Sequence, residues 1–471
     1  MNKKVSWGVL GMGVMGLNLS RNFANQGISL ALYNRFVKGS EEQVALKKIK
    51  AYPELNSALP FESLDSFVAA IESPRKILIM LPAGSIIDKI IDDLIPLLNE
   101  KDILIDGGNS HYKDTGKRFL SLAKKGIRFL GIGISGGKIG ALKGPSLMVG
   151  GDPKAYHIVS EDLLKIAAKD INGKSCCGYL GSGGAGHYVK MVHNGIEYAE
   201  MQLIAEIFEI CLPLADSNLE SIQNLFKIWQ NSSSESYLLG ISSEILSYKE
   251  SGEPYINRIL DQASNKGTGA WATASGALMG LPNNLMAAAL NARFTSSFQS
   301  LRKKNSIEYP SLADNNNVPL PNLKKTYDIC RWINHHQGFE MIQQARDTYK
   351  WNLSLENVAL IWSEGSIIKS KLMDQLKLLF PDADSVMEMS PFKKLVSKGQ
   401  KEWMDVLIYS IGKGIPTPCI SSAWNYFKAI TQARSSAYLI QAQRDFFGSH
   451  GFDLIDQKGE RKNHGPWNQK N

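Results

Sequence analysis

The sequence has too few cysteines for a disulfide framework. There are five among 471 residues, Cys176, Cys177, Cys211, Cys330 and Cys419, and they are scattered. No pair has zinc-ligand spacing and the vicinal Cys176-Cys177 pair is not a CxxC, so no metal is expected. Long apolar runs are missing too. Nothing approaches the ~18 residues of a membrane helix. The start, Met1-Asn2-Lys3-Lys4 and then an apolar stretch, superficially resembles a secretory leader. Glycines at 8, 11, 13 and 16 make that stretch a poor secretory helix, and a reducing, cytoplasmic setting is the expectation. Clusters of one charge sign are also lacking. The 53 basic and 45 acidic residues leave a net charge of +8, but the two signs are interspersed. That argues against a nucleic-acid partner and suits an enzyme that binds small anions. With 44% apolar and 21% charged residues, the chain reads as globular, of two to four domains.

The first third alternates short apolar runs with helical patterns. Strands are expected over 5–10, 29–33, 76–81, 102–105 and 128–132, with a helix over 14–26, which predicts βαβ units and a mainly parallel sheet. Beyond the Gly-rich stretch 178–186, strand-like alternation fades. Helical periodicity then runs over 187–215, 218–230, 233–250, 254–264, 275–301, 323–350, 354–379, 391–412 and 419–436. The segment 306–321 reads as a loop. The expected architecture is an α/β Rossmann-like N-terminal domain (1–183), a large all-α domain (184–435) and a short, extended C-terminal tail (436–471).

Gly11-x-Gly13-x-x-Gly16 follows a strand and opens a helix, the arrangement that lets a backbone approach a pyrophosphate at a helix N-terminus. The second strand ends not in the usual carboxylate but in Asn34-Arg35. An arginine there can pair with a 2′-phosphate, which favours NADP over NAD. Lys190, His193, Asn194, Glu197 and Tyr198 share one helical face, among apolar neighbours. A lysine and a glutamate two turns apart, about 10 Å along the axis, could serve as separate base and acid around a small substrate, although a solvated face gives the same spacing. Asp106-Gly-Gly-Asn109-Ser110 and Ser135-Gly136-Gly137 follow strand ends, and Lys266-Gly-Thr268-Gly could present N–H groups, a hydroxyl and an ammonium to a phosphate, although each also reads as a plain surface turn. Gln443 to His450 sets Arg444 and His450 around an aromatic pair, equally readable as a packed helix end.

Taken together, the segments GVLGMGVMGLNL, IDGGNSHYKDT, GISGG, GPSLMVGG, GAGHYVKMVHNGIEYAEMQL, ILDQASNKGTG, GIPTPC and QAQRDFFGSH resemble the 6-phosphogluconate dehydrogenases, the decarboxylating NADP enzymes of the pentose phosphate pathway. The resemblance runs from about residue 5 to about 455. It implies oxidation and decarboxylation of 6-phosphogluconate to ribulose 5-phosphate, with Lys190 as base and Glu197 as acid. It implies cofactor contacts at Gly11, Gly13, Val14, Met15, Gly16, Asn34, Arg35 and Asn109. It implies sugar-acid contacts at Asn109, Ser135, Gly136, Gly137, His193, Asn194 and Glu197, and a phosphate grip at Tyr198, Lys266, Thr268 and Arg293. Arg444 and His450 would reach the partner's site in a homodimer. The chain departs from the family pattern at Phe36, Pro82, Lys138, Ile139, Ala270, Ser363 and Glu364. A divergent paralogue that binds nucleotide and sugar phosphate with altered or no catalysis is the alternative. A dehydrogenase of a non-phosphorylated β-hydroxyacid is disfavoured, because it would give Lys266, Arg293 and Arg444 nothing to bind.

Overall fold

The computed structural model describes residues 4–215, 218–264, 267–309, 317–456, 459 and 463–469. Two compact units divide the chain, Met1–Ser422 and Ala423–Asn471.

The first unit opens with an eight-stranded sheet: β1 (Trp7–Leu10), β2 (Leu30–Tyr33), β3 (Leu59–Phe61), β4 (Lys76–Ile79), β5 (Ile103–Asp106), β6 (Arg128–Ser135), β7 (Ser146–Gly151) and β8 (Cys177–Gly181). Their spatial order is β3-β2-β1-β4-β5-β6-β7-β8. All pairings are parallel except β6 with β7. The helices that cross over between strands are α1 (Val14–Asn25), α2 (Val44–Ala51), α3 (Leu64–Ala69), α4 (Ser85–Leu94), α5 (Tyr112–Ala123), α6 (Gly137–Lys143) and α7 (Pro153–Ile166). Alternate strand residues feed opposite cores. Trp7, Val9, Leu30 and Leu32 pack with Phe23 of α1 and Val159 of α7. Leu10, Ala31, Ile77 and Ile79 pack with Phe67 of α3 and Ile91 of α4. A sheet covered on both faces needs near-continuous apolar strands, which is why these segments read clearly in the sequence.

Three strands escaped sequence reading. β3 is three residues long with Pro60 in the middle, as an edge strand allows. β7 and β8 end in glycines that read as turn punctuation.

The helical part is α8 (Ala185–Leu214), α9 (Leu219–Gln230), α10 (Tyr237–Ile245), α11 (Thr268–Leu278), α12 (Asn284–Ser296), α13 (Gln299–Glu308), α14 (Leu320–Tyr349), α15 (Leu355–Ser363), α16 (Lys371–Leu379), α17 (Ser390–Gly412) and α18 (Pro418–Ile430). Several expected helices are broken. The 233–250 pattern stops at Ile245, and Lys249–Glu250 then pairs with Glu253–Pro254 in a small hairpin. Only a 3-10 turn, Tyr255–Arg258, forms within 254–264. The 275–301 pattern divides among α11, α12 and α13, the first break falling at Gly280-Leu281-Pro282. The 354–379 pattern breaks at Gly365, whose positive φ of 66° ends α15. Of the loop expected over 306–321, Ser306 to Glu308 belong to α13, α14 begins at Leu320, and 310–316 lie outside the described residues. Among the described residues, no helix is long and apolar enough to cross a membrane.

The second unit corrects the extended-tail expectation. It contains a twelve-residue helix, α19 (Ala437–Gly448), and a 3-10 turn, Pro466–Gln469. The buried carboxylate of Asp445 organises it. It accepts hydrogen bonds from Gly451 N (3.0 Å), Gly465 N (2.9 Å) and Trp467 Nε1 (3.0 Å), and pairs with His464 Nδ1 at 2.6 Å. These donors hold Asp445 far below the ordinary carboxylate range, at about 2. They come from residues whose polar composition hides any structural role in the sequence.

Candidate active site

The three glycines after β1 do different work. Gly11 has φ of 101°, and a Cβ there would sit 2.5 Å from Met80 O. A Cβ on Gly16 would collide with Gly11 O, so its absence lets α1 close on the turn. A Cβ on Gly13 would meet nothing within 4 Å. Gly13 has ordinary backbone geometry, φ −68°, and lines a cleft. The space beside Gly13 is open, and the first residues of α1, whose N–H groups have no partner within the helix, line the same cleft.

That cleft, about 680 Å³, is lined by Gly13, Val14, Met15 and Gly16, by the loop from Met80 to Gly84, by Asn109, and by Thr268 and Trp271 of α11. Asn109 is presented by a braced turn. The buried Asp106 accepts from Gly108 N (3.0 Å) and Ser110 Oγ (2.6 Å) and pairs with Arg118 (3.4 Å), which Asp88 holds on its other side (2.7 Å). A second cleft, about 560 Å³, runs past Gly11, Met12 and Tyr33 to Asn34, Arg35 and Glu41, with Lys89 and Ile90 of α4 opposite. Asn34 Oδ1 accepts from Met12 N at 3.2 Å, tying the end of β2 to the glycine turn.

Helix α8 packs directly on β6 and β7. A Cβ on Gly133 would collide with Lys190 Cβ, and one on Gly186 with Met148 O. The alternating glycines of β6 thereby bring the lysine face of α8 to the end of the sheet. Lys190 is buried, and burial pulls its ammonium down to about 8, opposed only partly by Glu197. Its Nζ lies 3.4 Å from His193 Nδ1. His193 Nε2 is 2.9 Å from Ser135 Oγ, which also accepts from Ile367 N at 3.2 Å. Asn194 Oδ1 lies 3.3 Å and Glu197 Oε2 3.6 Å from His193 Nδ1. Burial and the neighbouring Lys190 push His193 well below its ordinary value, which favours the neutral ring. Burial raises the Glu197 carboxyl, against the pull of Lys190 and Arg293. An amine made easier to deprotonate and a carboxyl made easier to protonate therefore share one enclosed face.

One turn on, the Arg293 guanidinium lies over the Tyr198 ring at 3.6 Å and donates to Ser264 O at 3.2 Å. A Cβ on Gly269 would press on the Tyr198 ring (2.6 Å), so the start of α11 lies against Tyr198. Gly136, with φ of 116°, abuts Gly365 O, placing the Trp362-Ser363-Glu364-Gly365 departure beside the Ser135 turn.

Ser135, Lys190, His193, Asn194 and Glu197 thus form one cluster, flanked by Tyr198 and Arg293. Lys266 lies outside the described residues. Arg444 and His450 belong to the second unit, where both are exposed. Arg444 Nη1 donates to Gln441 Oε1 (3.2 Å), and His450 stands edge-on to Phe447. Sequence reading missed the Asp106–Arg118–Asp88 brace, the buried His187–Thr115 contact (2.7 Å) beneath α8, and Glu41. Asp106 carried a signal through its Gly-Gly-Asn-Ser turn, and His187 as the residue one turn before Lys190; Arg118, Asp88 and Glu41 carried none.

A dinucleotide cleft meeting a buried lysine on a helix laid across the sheet end defines a nicotinamide-dependent dehydrogenase. Residues 6–181 match the profile of the NAD binding domain of 6-phosphogluconate dehydrogenase, and 186–467 that of its C-terminal domain. The chain is 40% identical over 460 residues to the decarboxylating 6-phosphogluconate dehydrogenase of Staphylococcus aureus, covering 96% of this chain and 97% of that one. It is 37% identical over 470 residues to the same enzyme of Chlamydia muridarum, covering 98% and 97%. The Plasmodium falciparum 6-phosphogluconate dehydrogenase, solved apo, with NADP+ and with its substrate, superposes with a TM-score of 0.92 at 31% identity, covering 98% of this chain and all of that one. The chain belongs to the 6-phosphogluconate dehydrogenase family.

Proposed function

We propose that the protein oxidises and decarboxylates 6-phosphogluconate to ribulose 5-phosphate and CO2, reducing NADP, and so serves the pentose phosphate pathway and gluconate use. The observation that carries this reading is the buried Lys190, its ammonium lowered to about 8, on one face with a Glu197 whose carboxyl is raised. Family membership supports the particular substrate and cofactor. The cofactor fits the residues present. Gly13 leaves a cradle that a Cβ would fill, the start of α1 and Val14, Met15 and Gly16 line it, and Asn34 and Arg35 stand at the far end. When bound, the nicotinamide supplies the hydride acceptor for C3.

Lys190 takes the proton of the C3 hydroxyl as that carbon is oxidised. The protonated amine then holds the C3 oxygen while the C1 carboxylate leaves as CO2, stabilising the negative charge that gathers there. A β-keto acid so held loses CO2 readily, and the residues present need no metal for that step. Glu197 delivers a proton to the former C2, left as an enediol carbon when CO2 departs, and that carbon becomes C1 of the ketose. Neutral His193, fixed by Ser135, and Asn194 hold the sugar hydroxyls near Lys190. Asn109 with Ser135, Gly136 and Gly137 bind the sugar acid. Tyr198, Lys266, Thr268 and Arg293 take the phosphate. Residues 1–183 serve as the NADP domain and 184–435 as the substrate and dimerisation domain. The tail, 436–471, reaches the partner subunit with Arg444 and His450 in a cytoplasmic homodimer. NADPH absorbance with 6-phosphogluconate, with unphosphorylated gluconate as control, tests the reading. Turnover of the phosphorylated acid alone is expected; equal turnover of both would remove the phosphate assignment.

A further inference from the structure

The arginine expected to grip the 2′-phosphate already has an anion. Glu41 Oε1 accepts from Arg35 Nη2 at 2.9 Å and from Arg35 Nε at 3.3 Å, and Glu41 Oε2 accepts from Asn34 Nδ2 at 2.9 Å. The contact is built in. Val37 and Glu41 exchange backbone hydrogen bonds (Val37 N to Glu41 O 3.0 Å, Glu41 N to Val37 O 2.8 Å), and Gly39, with φ of 82°, turns the chain between them. Glu41 lines the same cleft as Gly11, Asn34 and Arg35. We propose that Glu41 is an internal competitor for the 2′-phosphate and the residue that limits how strongly this protein prefers NADP to NAD.

The inference rests on the dinucleotide reading of that cleft. The Arg35 fork offers its Nε and Nη2 edge to one carboxylate, the same edge that would serve a phosphate bidentately. A 2′-phosphate must take that edge from Glu41 and then tolerate the carboxylate beside it. NAD makes no such demand, since its 2′-hydroxyl can donate to Glu41 while the ion pair stays intact. Phe36 offers the 2′-phosphate no hydroxyl in compensation. Specificity built by an adverse charge acts on one ligand and spares the other. The pair is exposed, with 64% and 36% of the two side chains accessible, so the effect is modest. A change of about five- to tenfold in the affinity ratio fits an exposed ion pair plus like-charge repulsion in water.

Equilibrium titration of the full-length protein with NADP and with NAD tests this, for wild type, Glu41→Gln and Glu41→Ala. Both variants are expected to bind NADP about five- to tenfold tighter relative to NAD. NAD binding itself should stay level or weaken. A ratio within twofold of wild type in both variants overturns the role of Glu41. Wild-type turnover of 6-phosphogluconate is measured alongside. If turnover is present and the ratio is fixed, Glu41 alone is wrongly assigned. If the wild type binds neither nucleotide, the dinucleotide reading falls and Glu41 with it.

Discussion

Lys190 is held where its charge is costly, and that cost has a sign. Its folded pKa, about 8, lies below the ordinary 10.5 of a lysine, so the folded protein binds fewer protons than the unfolded chain between those values. Stability from this group therefore rises as pH climbs from about 8 to about 10.5, and below 8 the penalty is complete. Replacing Lys190 by Met is expected to raise the melting temperature at pH 7 by about 2–4 °C, while turnover falls at least about a thousandfold. The same amine predicts that kcat/KM falls about tenfold per pH unit below about pH 8, as the base is protonated. A profile flat from pH 6 to 9 would remove Lys190 from that role. Gly13→Ala separates ligand from fold. Thermal stability should stay within about 0.5 kcal/mol, because the new methyl meets no protein atom, whereas NADP affinity should drop at least about tenfold. At this scale the sequence was informative wherever spacing alone fixes position. Lys190, His193 and Glu197 share a face on any α-helix. Glu41 and the Arg118–Asp88 brace behind Asp106 were opaque, because what they touch is decided by turns.

At the scale of elements, the site depends on α8 lying unusually close to β6. Gly133→Ala pushes a methyl into Lys190 Cβ and is expected to destabilise the protein by about 1–3 kcal/mol and to depress turnover together, as read by melting and steady-state rate. Gly140, whose added Cβ would meet only ordinary contacts at 3.5 and 3.8 Å, is the control that should tolerate Ala. Close-packed glycines are also what obscured β7 and β8. Gly150 abuts Gly186 of α8, whereas Gly178 and Gly181 of β8 abut Ile361 of α15 and Trp351, and a strand with so bare a surface loses the apolar alternation by which strands are recognised. Helix existence was legible from periodicity. Helix breaks at Gly280-Leu281-Pro282 and Gly365 were not, because the apolar period carries across them.

For the whole molecule, the proposal joins one subunit's lysine to the partner's tail. The tail reads as polar and irregular, yet the buried Asp445 collects four donors into a folded unit carrying Arg444 and His450. Asp445→Asn is expected to raise KM for 6-phosphogluconate more than it lowers kcat, and to leave NADP affinity unchanged. A shared site also predicts complementation. Lys190→Met and Arg444→Ala homodimers, each inactive, should regain about a quarter of wild-type activity after subunit exchange, because half of the re-formed dimers carry one intact site. The most direct measurement of the central claim is the stoichiometry of NADPH and CO2 formed from 6-phosphogluconate by the wild-type protein, with Lys190→Met in parallel. The account predicts one CO2 per NADPH, with both lost in the variant. NADPH without CO2, or no reduction of the cofactor by folded wild-type protein, would contradict it.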